Sequence, residues 1–436
     1  MEWWLALAII FGSLVVLMTT GMPVAFCFML VNVVGVFIFW GGTVGLRQLG
    51  LSIFSSVSTF AFLPVPLFIL MGEVMFRSGL GLSMVDTLDK WMGRLPGRLG
   101  LLAVASGTLF STMSGSTIGA TAMLGSVLSP EMEKRGYKKP MSIGPIMGSG
   151  GLAMIIPPSA LAVILACLAE ISVAKILISG IIPGLIIACF YSTYIIGRCY
   201  FQRSIAPSYA LTPTPLSEKI KLTVKHVLPL GFIIFMVLGL IFLGVTTPSE
   251  AAATGTLSCF ILAALYGRLN WEVVKKSIID TMMITGMIFL IIAGAFAFSQ
   301  ILVFSGIKQG ILGFVASMPL TPLMIIMALQ VGAWALGTMM SSTPIMMIVI
   351  PIYMPIVYAM GFDPIWFGLI LLINLEMSQT TPPFGVLLFT MKGVAPPDTT
   401  MGDIIRAGLP FLVCDLATMI LVIAFPMLAL WLPNLM

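Results

Sequence analysis

Two short stretches of small, hydroxyl-bearing residues stand out as candidates for chemistry. They lie at 111–117 and at 337–343, and we call them the first tip and the second tip. They are about 226 residues apart, and in that register Ser116 aligns with Ser342. The first tip lies between apolar runs that are each too short to span a bilayer. We therefore predict two helical hairpins that dip into a membrane and return.

Two further stretches should interrupt helices at membrane depth: the first break at 148–158 and the second break at 378–383. Proline removes an amide donor and frees carbonyl groups. Such backbone inside a membrane must be buried in protein or line a wet cavity. Freed carbonyls and hydroxyls suit a small hard cation such as sodium, whereas half-helix N-termini suit an anion. We therefore predict an ion-coupled site for a small anion, with Ser116 and Ser342 where the second arms begin. The alternative is a set of kinked helices whose hydroxyls bond back to the preceding turn.

Carboxylates at membrane depth are few, and Glu376, just before the second break, is the leading candidate for a coupling or gating role. The rival interpretation is a buried, hydrogen-bonded carboxylate that braces the break. Glu250 follows Pro248 and is predicted to have a structural, helix-capping role. The six cysteines have no paired spacing and are interpreted as packing residues.

Composition sets the class of protein. The chain is 59% hydrophobic and only 8% charged, against about 25% charged in soluble domains, and its apolar runs are continuous rather than alternating. These features predict membrane-spanning helices rather than a barrel. A glycine-rich phosphate loop, paired metal-ligand spacing and a serine–histidine constellation are all missing from the sequence. We therefore expect neither an enzyme nor an ATP-driven pump, no cofactor beyond a coupling ion, and no nucleic-acid binding.

The two halves of the sequence echo each other at an offset of about 225 residues, for example Pro23 with Pro248 and Pro157-Pro158 with Pro382-Pro383. We predict an all-α polytopic membrane protein of two inverted repeats, each with five crossings and one re-entrant hairpin. The first repeat is 1–198, with scaffold helices over 1–76, a hairpin at 99–130, a broken helix at 142–169 and a helix at 174–197. After a cytoplasmic linker at 199–223, the second repeat is 224–436, with scaffold helices over 226–304, a hairpin at 320–359, a broken helix at 364–391 and a helix at 405–433.

The basic residues support this topology. With the N-terminus outside, 18 of the 21 Lys and Arg residues lie in inner loops and 3 outside. Both termini are therefore predicted to be periplasmic, with the first hairpin entering from the cytoplasm and the second from the outside. The mixed segments 43–58 and 268–281 are predicted to lie along the interface.

Four motifs, in order, resemble the large membrane subunit of tripartite ATP-independent periplasmic (TRAP) transporters. They are Ser114-Gly115-Ser116-Thr117 followed by Ala120-Thr121-Ala122, Gly150-Gly151 through Pro157-Pro158-Ser159, Thr247-Pro248-Ser249-Glu250, and Thr381-Pro382-Pro383. The resemblance covers essentially the whole chain. It implies an elevator-type, sodium-coupled transporter of the bacterial inner membrane, with a small four-helix membrane subunit and a periplasmic substrate-binding protein as partners.

The resemblance also implies site residues. One sodium site would join the first tip to the first break through Ser114, Ser116, Thr117, Gly148 and Gly150. The other would join the second tip to the second break through Ser341, Ser342, Thr343, Ser378, Thr380 and Thr381. The anion is assigned to Ser116, Ser342, Pro157, Pro158, Pro382 and Pro383.

Substrates of this family are mostly carboxylates. The overall appearance of the first broken segment favours sialic acid over C4-dicarboxylates. The alternatives are a stand-alone sodium/dicarboxylate symporter and, from another class, a channel. Uptake without a binding protein favours the symporter, and saturable uptake driven by a sodium gradient excludes the channel.

Overall fold

The computed structural model describes residues 2–93, 95–207 and 214–436, except for the side chains of Ser111, Met113 and Ser114. Every regular element in these ranges is helical. The helices up to the polar linker are α1 (Trp3–Thr19), α2 (Val24–Phe39), α3 (Thr43–Val57), α4 (Pro64–Arg77), α5 (Leu80–Trp91), α6 (Arg98–Ser114), α7 (Thr117–Lys134), α8 (Lys139–Gly151), α9 (Ala160–Leu168), α10 (Val173–Ser179) and α11 (Ile181–Phe201).

After the linker, α12 (Leu216–Leu222), α13 (Leu228–Ile234) and α14 (Leu240–Phe242) are joined by π-turns into one apolar helix, Leu216–Phe242. The remaining helices are α15 (Pro248–Leu265), α16 (Trp271–Phe304), α17 (Ile307–Ser317), α18 (Pro322–Gly337), α19 (Ser342–Ala359), α20 (Pro364–Gln379), α21 (Val386–Val394), α22 (Met401–Ala424) and α23 (Met427–Leu430).

Local sequence sets the start of α15. Pro248 occupies its first position, where a missing amide proton costs nothing. The Thr247 side chain accepts from the amide of Glu250, and the Glu250 carboxylate accepts from the Thr247 amide at 2.8 Å. This capping box confirms the predicted capping role of Glu250.

The segment 268–281 is not a separate interfacial arm, because α16 runs unbroken through 34 residues from Trp271 to Phe304. Within this segment Ser277 and Thr281 are buried, whereas the charged residues Glu272, Lys275 and Lys276 are exposed. The segment is therefore mostly the N-terminal part of one long helix, and its position along the membrane interface stays a prediction.

Seven of the described helices are long and apolar enough to cross a membrane, including the continuous helix Leu216–Phe242, α16 and α22. The two predicted broken helices are absent from this set, since each is divided into shorter pieces. The helix α19 is included, although the sequence predicts a re-entrant arm there. The chain is thus all-helical and multi-pass, and the inverted repeat and its orientation stay predictions.

The helices pack in two groups. In the first, which we call the scaffold, α2, α3 and α4 pack on α16, and α15 packs on α4. In the second, the tip group, α8 packs against α6, α7 and α22, while α20 packs against α18 and α22. The two groups meet where α4 contacts α6 and α9, and where α16 contacts α19. Both tips belong to the second group.

Candidate functional site

The first tip is a sharp turn between α6 and α7. Gly115 has a φ of 55°, which glycine adopts without strain. A Cβ at that position would lie 3.5 Å from the carbonyl oxygen of Pro158 and 3.6 Å from the amide nitrogen of Ala160. The Ser116 hydroxyl accepts from the amide of Gly119 at 3.1 Å and caps α7. The second arm therefore begins at Ser116 as predicted, and the first tip lies against the end of the first break.

The second tip lies against the second break. Helix α18 ends at Gly337, where an added Cβ would be only 2.3 Å from the Ser378 side chain. The amide of Phe384 donates to the carbonyl of Thr338 at 3.0 Å. The next helix, α19, begins at Ser342, and its N-cap residue Ser341 makes no side-chain capping bond. The second tip and second break are thus brought together, as the sequence predicts.

One side chain joins the two tips. Gln379, the last residue of α20, accepts from the Thr117 hydroxyl at 3.0 Å and donates to the Ser342 hydroxyl at 3.0 Å. All three residues are buried. Gln379 is absent from the predicted site, although it lies within the second break, where a long polar side chain at a helix end is itself a signal.

The hydroxyls of the second break bond back to their own helix. Ser378 donates to the carbonyl of Leu375 at 2.7 Å, and Thr380 and Thr381 donate to that of Met377 at 2.9 and 2.8 Å. This is the geometry expected for the alternative interpretation, a kinked helix whose hydroxyls bond back to the preceding turn. It leaves lone pairs on each hydroxyl oxygen, which suits coordination of a cation as well.

The predicted ligands at the first break have different surroundings. A Cβ on Gly150 would lie 2.0 Å from the hydroxyl oxygen of Thr121, a buried group without a hydrogen-bond partner among the described residues. A Cβ on Gly148 would instead meet Phe411 and Tyr191 at 2.9 and 3.1 Å. These two residues are not part of the first tip. The side chain of Ser114 lies outside the described part of the chain.

The orphaned Thr121 hydroxyl is an observation that fits a cation. It lies close to Gly150, and the lone pairs of its oxygen can coordinate a metal cation. Sequence reasoning did not select Thr121, although it stands in the Ala120-Thr121-Ala122 motif next to the first tip.

A cavity of about 250 Å³ lies between the tips and the scaffold. Ser116, Thr117 and Thr343 contribute to it from the tips, and Ala160 contributes from the start of α9. The scaffold side is supplied by α4 and α16 and includes Glu73. Three helix N-termini, those of α7, α9 and α19, therefore border one space. The two Pro-Pro pairs, Pro157-Pro158 and Pro382-Pro383, are not part of its described lining, and both pairs have cis peptide bonds.

The charged groups at the cavity edge are two carboxylates and one guanidinium. Glu73 pairs with Arg77 at 3.2 Å, and Arg77 also pairs with Asp280 of α16. Among the described lining residues there is no lysine or arginine. An anion in this cavity would therefore be held by helix N-terminal amides and hydroxyls rather than by a cationic side chain.

Glu376 lies behind the tips rather than in the cavity. It is 0% exposed, and a Cβ on Gly151 would come within 2.0 Å of its Oε1. Neither of its carboxyl oxygens receives a hydrogen bond from a described donor. The carboxyl group of Asp415 lies close to it and accepts from the Tyr191 hydroxyl at 2.5 Å. Asp415 is itself buried, with 1% of its surface exposed.

Comparison with known proteins agrees with this architecture. The family profile described as "Tripartite ATP-independent periplasmic transporter, DctM component" matches residues 11–428. The C4-dicarboxylate TRAP transporter large permease DctM of Pseudomonas aeruginosa is 31% identical, over 89% of this chain and 90% of that protein. The ectoine/5-hydroxyectoine TRAP transporter large permease UehC of Ruegeria pomeroyi is 27% identical, over 98% and 99%.

Two further proteins are similar to this chain. The 2,3-diketo-L-gulonate TRAP transporter large permease YiaN of Escherichia coli is 25% identical, over 97% of both chains. The crystal structure of the YdaH transporter of Alcanivorax borkumensis has the same fold, with a TM-score of 0.62 over 87% of this chain and 88% of that chain at 16% identity.

Large permeases of the TRAP family work with a small membrane subunit and a periplasmic binding protein. The two tips, the interrupted helices and a profile match spanning nearly the whole chain lead to one conclusion. This chain belongs to the DctM family, the large membrane subunits of TRAP transporters, and is a transporter permease rather than an enzyme.

Proposed function

We propose that this chain imports a small organic carboxylate by sodium-coupled secondary transport, receiving it from a periplasmic substrate-binding protein. The chain would act with a small membrane subunit in a bacterial inner membrane, with both termini periplasmic and by an elevator motion of the tip group. The observation that carries the proposal is the cavity bordered by both tips and by three helix N-termini. Such a site can hold a carboxylate without a cationic side chain.

Sodium coupling is supported by the oxygen atoms around the tips. At the first tip, oxygens would come from the Thr117 hydroxyl and from the Thr121 hydroxyl, which lies near Gly150 and has no hydrogen-bond partner among the described residues. At the second tip, Ser342 lies beside the second break, whose back-bonded hydroxyls retain lone pairs. Bound sodium would neutralise charge beside the anion, so that the two bind more favourably together than alone.

Glu376 is proposed as the coupling group between the cation sites and the moving tip group. Glu376 is fully buried and lies near Asp415. A nearby cation would therefore strongly change the free energy of the Glu376 carboxylate. Replacing Glu376 by glutamine should therefore change the sodium concentration needed for half-maximal uptake. Unaltered sodium dependence in that variant would leave only the bracing role.

The cargo is proposed to be a C4-dicarboxylate or a sugar acid such as sialic acid. Relatives named for C4-dicarboxylate and for 2,3-diketo-L-gulonate support an acidic cargo, while the ectoine permease shows that a zwitterion belongs in the test panel. Competition by each compound against labelled uptake decides among them.

The test is reconstitution of the chain with its small subunit in liposomes, with and without the binding protein, under an imposed sodium gradient. We expect uptake only with both the gradient and the binding protein. Uptake without the binding protein would establish a stand-alone symporter instead, and non-saturable flux would establish a channel. Ser116→Ala and Ser342→Ala should each weaken sodium-dependent uptake, and an unchanged sodium response in both would remove these residues from the site.

A further inference from the structure

The side chain of Gln379 makes two long-range contacts at once. Its Oε1 accepts from Thr117 and its Nε2 donates to Ser342, each at 3.0 Å, across 262 and 37 residues of sequence. The residue is 5% exposed. An exchange of the amide oxygen and nitrogen would preserve both contacts, because each hydroxyl can donate or accept.

Both partners of Gln379 occupy the same structural position. Thr117 is the first residue of α7 and Ser342 is the first residue of α19, so each opens the second arm of its hairpin. Each belongs to the oxygen set that we propose for one of the two cation sites. One planar carboxamide therefore connects a ligand of one site to a ligand of the other.

This connection has no counterpart in the other half of the chain. At the offset of about 225 residues, the position that matches Gln379 is Met154. A thioether cannot join two hydroxyls by hydrogen bonds of comparable strength. The two tips, similar in sequence, are thus bound together by one side chain that only the second break supplies.

A rigid bridge of this kind transmits displacement. The carboxamide is planar, and losing either hydrogen bond leaves a buried polar group unsatisfied, which is costly. A tip that shifts when a cation binds must therefore carry the bridge and the other tip with it. Coupling of this kind is reciprocal, so each cation favours the binding of the other.

We propose that Gln379 is a positioning residue that holds the two tips in one relative arrangement and makes cation binding at the two tips cooperative. This inference rests on the sodium coupling proposed above. The bridge acts through Thr117 and Ser342, and Gln379 itself need not touch either cation.

The test compares variants by the sodium dependence of uptake in liposomes that contain the chain, its small subunit and the binding protein. Gln379→Leu keeps the approximate volume and removes both hydrogen bonds. Gln379→Asn keeps the amide on a side chain that is one methylene too short to span both hydroxyls. Gln379→Glu keeps the length and accepts from both hydroxyls, so it serves as the conservative rescue.

A matched control comes from α18, which packs on α20, the helix that ends at Gln379. Gln330 of α18 is also buried, and its Oε1 accepts from Asn374 of α20 at 2.7 Å, but this contact does not join the tips. We expect Gln379→Leu and Gln379→Asn to lower the Hill coefficient for sodium towards unity. Both should raise the half-saturating sodium concentration by at least about fivefold. Gln330→Leu should lower thermal stability and leave the Hill coefficient of the wild type.

Each outcome decides the matter. Sodium-independent uptake by the wild type overturns the proposed coupling and this inference with it. Sodium-dependent uptake with a wild-type Hill coefficient of unity, an unchanged coefficient in Gln379→Leu, or an equal loss in Gln330→Leu overturns this inference alone. If Gln379→Leu does not accumulate, the comparison of Gln379→Asn with Gln379→Glu carries the test: similar cooperativity in both refutes the bridge.

Discussion

Replacing Gly337 by alanine tests whether the close approach of the second tip to the second break is part of the transport machinery. An added Cβ would lie 2.3 Å from the Cβ and Oγ atoms of Ser378. Carbon atoms in contact prefer separations of about 3.5–4.0 Å. The end of α18 and the helix α20 would therefore have to separate by about 1.2–1.7 Å at this point, the difference between the preferred and the available spacing.

The expected effects differ in size between folding and transport. Overpacking of this kind costs about 1–3 kcal/mol of stability, which a large multi-helix protein can survive. A misplacement of about 1 Å can cost a factor of about 100 where geometry decides the rate. We therefore expect the initial uptake rate of Gly337→Ala to fall at least about tenfold while the protein still folds.

The assay is the initial rate of uptake into liposomes, with thermal unfolding of the same preparation as the measure of folding. The matched control is Gly313→Ala in α17, where an added Cβ meets nothing within 4 Å. Alanine there should stabilise the helix by about 0.5–1 kcal/mol and leave uptake unchanged. Wild-type uptake by Gly337→Ala would refute the argument that contact between the second tip and the second break sets the site geometry.

Two further predictions concern buried and exposed acids. Tyr191→Phe removes the hydroxyl that donates to Asp415 at 2.5 Å and should lower the stability of the fold by about 1–3 kcal/mol. Thermal unfolding measures this loss in the wild type and again in the Asp415→Leu background. A loss of the same size in both backgrounds would contradict the contact. The Lys139 ammonium bonds to Asp398 at 2.8 Å, and that hydrogen bond lowers the pKa of the Asp398 carboxyl below its ordinary value. A carboxyl with a lowered folded-state pKa stabilises the fold above its unfolded pKa of about 3.9. Because the pair is exposed, the stability difference between wild type and Asp398→Asn should be small at neutral pH. This difference should vanish as acid protonates the carboxyl. A difference that grows in acid would refute this sign.

The positions of the tips and breaks could be predicted from the sequence because local chemistry determines them. A hydroxyl residue caps the helix that follows it, as Ser116 does, and proline cannot continue a helix without losing an amide donor. The capping role of Glu250 follows from the same local rules. Interactions within a few residues of each other leave a pattern that a single sequence displays.

Contacts between distant segments could not be predicted in this way. The partners of Gln379 lie 262 and 37 residues away, and Tyr191 lies 224 residues from Asp415. No spacing rule connects such positions, since their meeting depends on how whole helices pack. The burial of Ser277 in α16 depends on the same helix packing, and hydropathy along the chain cannot show it.

The unequal walls of the cavity constrain how this permease can change its cargo. On the tip side, the lining residue Gly115 has a φ of 55°, which a larger residue would adopt only with strain, so enlargement there would disturb the turn. On the opposite side, Met287 and Ile284 of α16 are partly exposed side chains whose size can vary without moving backbone. Adaptation to a bulkier substrate should therefore begin in the scaffold helices, and a library of substitutions along this face of α16 is the place to select for new substrates.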